Sequence, residues 1–175
     1  MPEHSYTSRR ELEQYHFHPL VTVLAPLLCV LLGAMLPRLW PKLDILDLPL
    51  IATVFFAVSR RSPVAGTLTG TAIGLLQDAF TDLPFGVNGI AKAVVGYLAA
   101  SLGFAIDVDN ILNRVLMNFV ASLLQSAILY LITRRLLGDV TVQLRPVYEL
   151  IRAGVNTGVA IPVFLVLDRF KVLED

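Results

Sequence analysis

Long apolar runs separated by brief polar breaks fill most of this chain, and that alternation sets the expected elements. Residues 20–36 are apolar apart from Thr22, with Pro26 and Gly33 as the other interruptions. The run is long enough to cross a bilayer as a helix with little tilt. A second run, 45–58, is shorter and begins beside Asp44 and Asp47. It fits either a thin-membrane span or a buried segment, and Arg60 and Arg61 directly after it favour a complete crossing. Further helices are expected over 63–80, 87–106, 112–132 and 147–167, with Pro162 placed to kink the last. Ahead of the first run, "TSRRELEQYHFHP" sets Ser8 three residues before Glu11, a capping-box pattern. Leu12 and Tyr15 then share one face of a short cytosolic or interfacial helix. This polar lead holds three acids and is unlike a secretory signal, so the first apolar run is expected to remain as an anchor.

Composition turns the pattern into a class. Hydrophobic residues make up 55% of the 175 positions and charged residues 16%; soluble domains carry about 25% charged residues. Mean hydropathy is +0.69. The expected fold is an all-α integral membrane protein of about six transmembrane helices. A cytosolic or interfacial segment (1–19) precedes a transmembrane domain (20–170), and a short cytosolic tail (171–175) follows it, leaving no room for a second domain. Fourteen basic and fourteen acidic residues cancel, so the charge balance does not suggest nucleic acid. Cys29, the single cysteine, lies in the first apolar run and reads as a small buried hydrophobe. His4, His16 and His18 read as solvated tail residues, because no acid or cysteine joins them at ligand spacing.

Orientation follows from arginine and lysine. With the N-terminus inside, Arg9, Arg10, Arg60, Arg61, Arg114, Arg169 and Lys171 fall on the cytoplasmic side. Arg38, Lys42, Arg134, Arg135, Arg145 and Arg152 fall outside. The segment between the third and fourth helices has acids and no base before Lys92, which favours its placement outside and both termini in the cytoplasm.

Three polar signals interrupt the apolar pattern. Gly66, Gly70 and Gly74 recur every fourth residue in "GTLTGTAIG", a smooth stripe that lets helix backbones approach within the chain or against a partner; Gly154 and Gly158 form a shorter one. In "GLLQDAFTDLPFGVNG", Asp78 ends a helix and Asn88 and Lys92 share a face of the next, so a hairpin could bring all three into a polar cluster. Its uses range from structural glue to a ligand or proton site or a partner contact. Asn118, Ser122 and Gln125 share one face of the fifth helix, and Asn156 and Thr157 lie on the sixth, placed for interhelical hydrogen bonds or a wet cavity. No metalloprotease, nucleophile-elbow or phosphate-loop motif occurs, so neither an enzyme nor a cofactor or metal is expected.

The stretch "LLQDAFTDLPFGVNGIAKAVVGYLAASLG" is similar to the most recognisable part of the rod shape-determining protein MreD family. Asp78, Pro84, Gly86, Asn88, Gly96 and Tyr97 stand at the matching positions. The polar N-terminal segment and Lys92 depart from that pattern. The resemblance covers roughly 20–170. It implies a six-helix inner-membrane protein without catalytic activity, similar in fold to the substrate-binding components of energy-coupling factor transporters. The implied partner is the bitopic protein MreC, and through it MreB, RodZ and the RodA synthase with its transpeptidase. The residues also admit a transporter component, in which Asp78, Asn88, Lys92, Asn118 and Asn156 line a pocket open to the outside.

Overall fold

The computed structural model describes residues 16–17, 19–81, 84–103, 106 and 110–172. The expected N-terminal helix, His4, His18, Asp82 and the last residues of the tail lie outside them. Six α-helices are found among the described residues: α1 (Pro19–Leu39), α2 (Leu48–Arg60), α3 (Pro63–Asp78), α4 (Val87–Leu102), α5 (Ile111–Leu131) and α6 (Pro146–Asp168). A short 3-10 turn (Pro41–Ile45) joins α1 to α2, and a π turn (Ile132–Leu136) extends α5. Pro49, Pro63 and Pro146 each sit at the start of a helix, where the missing N–H costs nothing. The last helix runs through Pro162 without interruption.

Three of these helices are long and apolar enough to cross a membrane: α1, α5 with its π turn, and α6. The outward face of α1, with Leu20, Val23, Leu24, Leu28, Leu32 and Met35, is exposed, as a lipid-facing surface requires.

The second apolar run becomes the centre of the bundle. Every residue over 48–59 of α2 is buried, and a helix that is hydrophobic all round needs such an environment. At 13 residues it is ~20 Å long, shorter than the ~30 Å hydrocarbon layer. Phe55 and Phe56 meet edge to face at 5.4 Å, Phe164 of α6 lies 5.6 Å from Phe55, and Phe17 reaches Phe56 at 5.1 Å. Phe17 belongs to a two-residue strand, β1 (His16–Phe17), paired antiparallel with β2 (Lys171–Val172). The chain ahead of α1 and the chain after α6 therefore meet at one end of the bundle.

Candidate functional site

The glycine stripe of α3 makes the closest helix contact in the molecule. A Cβ added at Gly66, Gly70 or Gly74 would fall on the carbonyl oxygens of Gly96, Lys92 and Asn88 respectively, and one added at Gly96 would fall on that of Gly66. Two backbones thus touch along positions four apart on both helices, an approach that only hydrogen side chains allow. Gly154 and Gly158 of α6 behave otherwise: both are exposed, and nothing lies within 4 Å of an added Cβ. The stripe of α3 is an internal packing device, whereas that of α6 is unpartnered within this chain.

This contact holds α3 and α4 so that the end of one meets the start of the other. The Asp78 carboxylate, buried at the last residue of α3, accepts from the backbone N–H of Gly86 (2.9 Å), Asn88 (3.0 Å) and Gly89 (3.1 Å) and from Asn88 Nδ2 (2.9 Å). Helix N-termini leave N–H groups without intrahelical partners and carry partial positive charge, so a carboxylate from the preceding helix serves as the cap. Gly86, with φ of 100°, supplies the left-handed turn that aims these donors. Pro84 is exposed and its carbonyl accepts from Val87 N at 3.3 Å, while Tyr97 points outward on α4.

Of the three residues expected to cluster, Asp78 and Asn88 meet and Lys92 goes elsewhere. One turn deeper on α4 and fully buried, Lys92 Nζ lies 3.2 Å from Asp47 Oδ2 and donates to Gln125 Oε1 at 3.1 Å. The physical reason is that the α4 N-terminus already occupies the Asp78 carboxylate, while Asp47 at the start of α2 needs a counter-charge. Gln125 Nε2 also donates to Asp47 Oδ2, and Asp47 Oδ1 caps α2 by accepting from Leu50 N at 2.9 Å. The Asp47 N–H donates to Asn156 Oδ1 at 2.7 Å, and Asn156 Nδ2 donates to the carbonyls of Ile45 and Arg152, each at 3.0 Å. Arg152 approaches Asp47 at 3.8 Å and Glu149 at 4.0 Å, and Glu149 accepts from Ser126 Oγ at 2.5 Å. Two cations and two carboxylates thus balance within one network that ties α2, α4, α5 and α6 together.

Asp47, which the sequence places only at the edge of an apolar run, is the centre of this network. Its signal was an acid directly before Leu-Pro at the start of an apolar run, an N-cap pattern, combined with a lysine in another run that required an acid. Of the polar residues expected on α5 and α6, Gln125 and Asn156 bond across helices. Asn118 does not: its side chain is fully buried and neither its oxygen nor its nitrogen has a partner. Asp78, Asn88, Lys92, Asn118 and Asn156 are all packed inside the bundle rather than lining an open pocket. Among the described residues no group of three side chains stands ready to hold a metal ion.

At the opposite end, Arg114 of α5 grips Asp168 of α6 through two bonds of 2.8 and 2.6 Å and stacks over Phe164 at 5.5 Å. The first and last turns of an antiparallel pair are thereby fastened beside the terminal bridge. Chemically, the described polar centres cap helices and neutralise buried charge. No family model matches the chain, and no curated protein or solved structure matches it significantly.

Proposed function

We propose that this chain is a non-catalytic scaffold of the bacterial cell-elongation machinery, seated in the inner membrane with about six spans and both termini cytoplasmic. It resembles MreD, and in this reading it shares the fold type of energy-coupling factor substrate-binding components. It binds MreC directly, connects through it to MreB, RodZ and RodA with its transpeptidase, and supports lateral peptidoglycan synthesis. The observation that carries the reading is that Asp78, Gly86, Asn88 and Gly96, four of the residues behind the resemblance, form one contiguous unit. They are the capped turn and the backbone contact that fix α3 against α4. Short connections between the described helices leave the helix faces and rims as the surfaces available to a partner.

Depletion in a rod-shaped host tests the proposal. The expected outcome is rounded, widening cells, with MreC recovered alongside the tagged protein from native membrane. Unchanged shape with a transport defect would reverse it. One observation favours the alternative, a membrane component that binds a small vitamin-like molecule for transport: the buried Asn118 amide without a partner has unused capacity for a polar ligand. A small molecule retained through purification, and lost in Asn118→Leu, would support that alternative.

A further inference from the structure

Where α1 passes α3, the two helices leave an apolar groove of about 360 Å³, walled chiefly by Val23, Pro26, Leu27, Leu68, Ile73 and Leu76. That volume falls within the ~300–1,000 Å³ that single bound molecules occupy. Val23 and Leu68 are among the most exposed apolar residues of the molecule, so the groove opens to the surroundings of the bundle. In a membrane those surroundings are acyl chains.

Two threonines break the apolar lining, and a charge stands over them. Arg60, half-buried in the last turn of α2, donates to Thr22 Oγ1 at 3.3 Å and to Thr69 Oγ1 at 3.5 Å, and both threonines line the groove. These acceptors are neutral and the bonds are long. Lys92, Arg114 and Arg152 each face a carboxylate within 4.0 Å; no carboxylate among the described residues comes that close to Arg60. A guanidinium at the edge of a bilayer without a counter-charge is costly, and an anionic oxygen on its free N–H groups offsets that cost.

We propose that this groove binds an anionic phospholipid, with one acyl chain between α1 and α3 and the headgroup phosphate on Arg60 beside Thr22 and Thr69. Charge selects the lipid class. A zwitterionic headgroup brings its own cation and so gains less from Arg60 than a net-negative one. The site is independent of the partner and motif considered above, since none of its residues belongs to the Asp47 network or the Asp78 turn.

Native mass spectrometry of the full chain, released from mixed vesicles of equal phosphatidylglycerol and phosphatidylcholine, provides the test. The wild-type chain should retain phosphatidylglycerol about fivefold over phosphatidylcholine, the contribution expected of one basic residue at a membrane surface. Arg60→Gln preserves hydrogen-bonding capacity and removes the charge, and should bring the ratio close to one. Ala72→Phe, entering the groove from an exposed position on α3, should reduce adducts of both lipids. If Arg60→Gln does not fold, the wild-type ratio is followed with rising ammonium acetate, under which a preference resting on charge declines. Four outcomes overturn the proposal. They are a wild-type ratio near one, as a groove reserved for a partner's helix would give; an unchanged ratio in Arg60→Gln; unchanged adducts in Ala72→Phe; or a salt-independent ratio.

Discussion

Lys92 and Asp78 are both buried charges near the same turn, yet their needs are met by different means. Lys92 relies on a point charge, Asp47, with Gln125 completing its shell. Asp78 relies on N–H groups at a helix end. Removing one member of a buried ion pair strands the other, at a cost of about 3–5 kcal/mol. Lys92→Ala and Asp47→Ala should each lower detergent thermal stability by that order, and the double variant should recover part of the loss. Asp78→Ala combined with Lys92→Ala should show the smaller coupling of the two pairs, because Asp78 spends its carboxylate on N–H groups and acts on Lys92 only as a more distant charge. A larger coupling for Asp78 with Lys92 than for Asp47 with Lys92, read from the two double-mutant cycles, would contradict this assignment. Asp78→Asn tests the cap itself. An amide can turn only one oxygen toward several donors, so each stranded N–H should cost roughly 1–3 kcal/mol despite the unchanged shape.

At the scale of elements, small residues act according to what faces them. Gly70→Leu would drive a branched side chain into the α4 backbone at Lys92, where nothing flexible can yield, and should cost at least the upper end of the ~1–3 kcal/mol typical of overpacking. Gly158→Leu meets open space and should leave the isolated protein folded. Thermal melts of the two variants make the comparison, and equal losses would place the closest helix contact on the wrong pair. The apolar runs made the helices legible, because a membrane helix must satisfy its own backbone and so is written as one continuous stretch. The surroundings of each helix were less legible. The run at 45–58 has the composition of either a span or a core, since apolar residues on every side serve equally against lipid or protein. Asp78 and Asn88 were readable as neighbours because a short turn joins their helices. Asp47 and Lys92 are 45 positions apart, and their meeting depends on where α2 packs. The face carrying Asn118 and Gln125 was visible in the spacing, but not that Gln125 would find a charge and Asn118 nothing.

For the whole molecule, the terminal bridge and the run of the helices set which segments share a side. β1 and β2 pair at one end, where the Arg60 side chain also reaches Thr22 and Arg114 holds Asp168. The opposite end carries Asp47, the Asp78 turn and the link between α5 and α6. Phe170 therefore lies at the bridge end and Val140 at the far end, and both are exposed. Positive charge decides little between the two orientations, because Arg134 is held by the carbonyls of Val140 and Val142 and Arg152 faces the buried Asp47. What favours a cytoplasmic bridge end is the turn after Asp78, which carries one acid, Asp82, and no base before Lys92. In a Cys29→Ser background, Phe170→Cys should react with a membrane-impermeant maleimide only after the cells are opened, and Val140→Cys should react in intact cells. Labelling of both from outside would mean that the two ends do not lie on opposite sides of a bilayer, and the arrangement of spans would fail. Exchanged accessibilities would instead keep that arrangement and invert it, placing Arg60 and its groove at the outer leaflet and the capped turn in the cytoplasm.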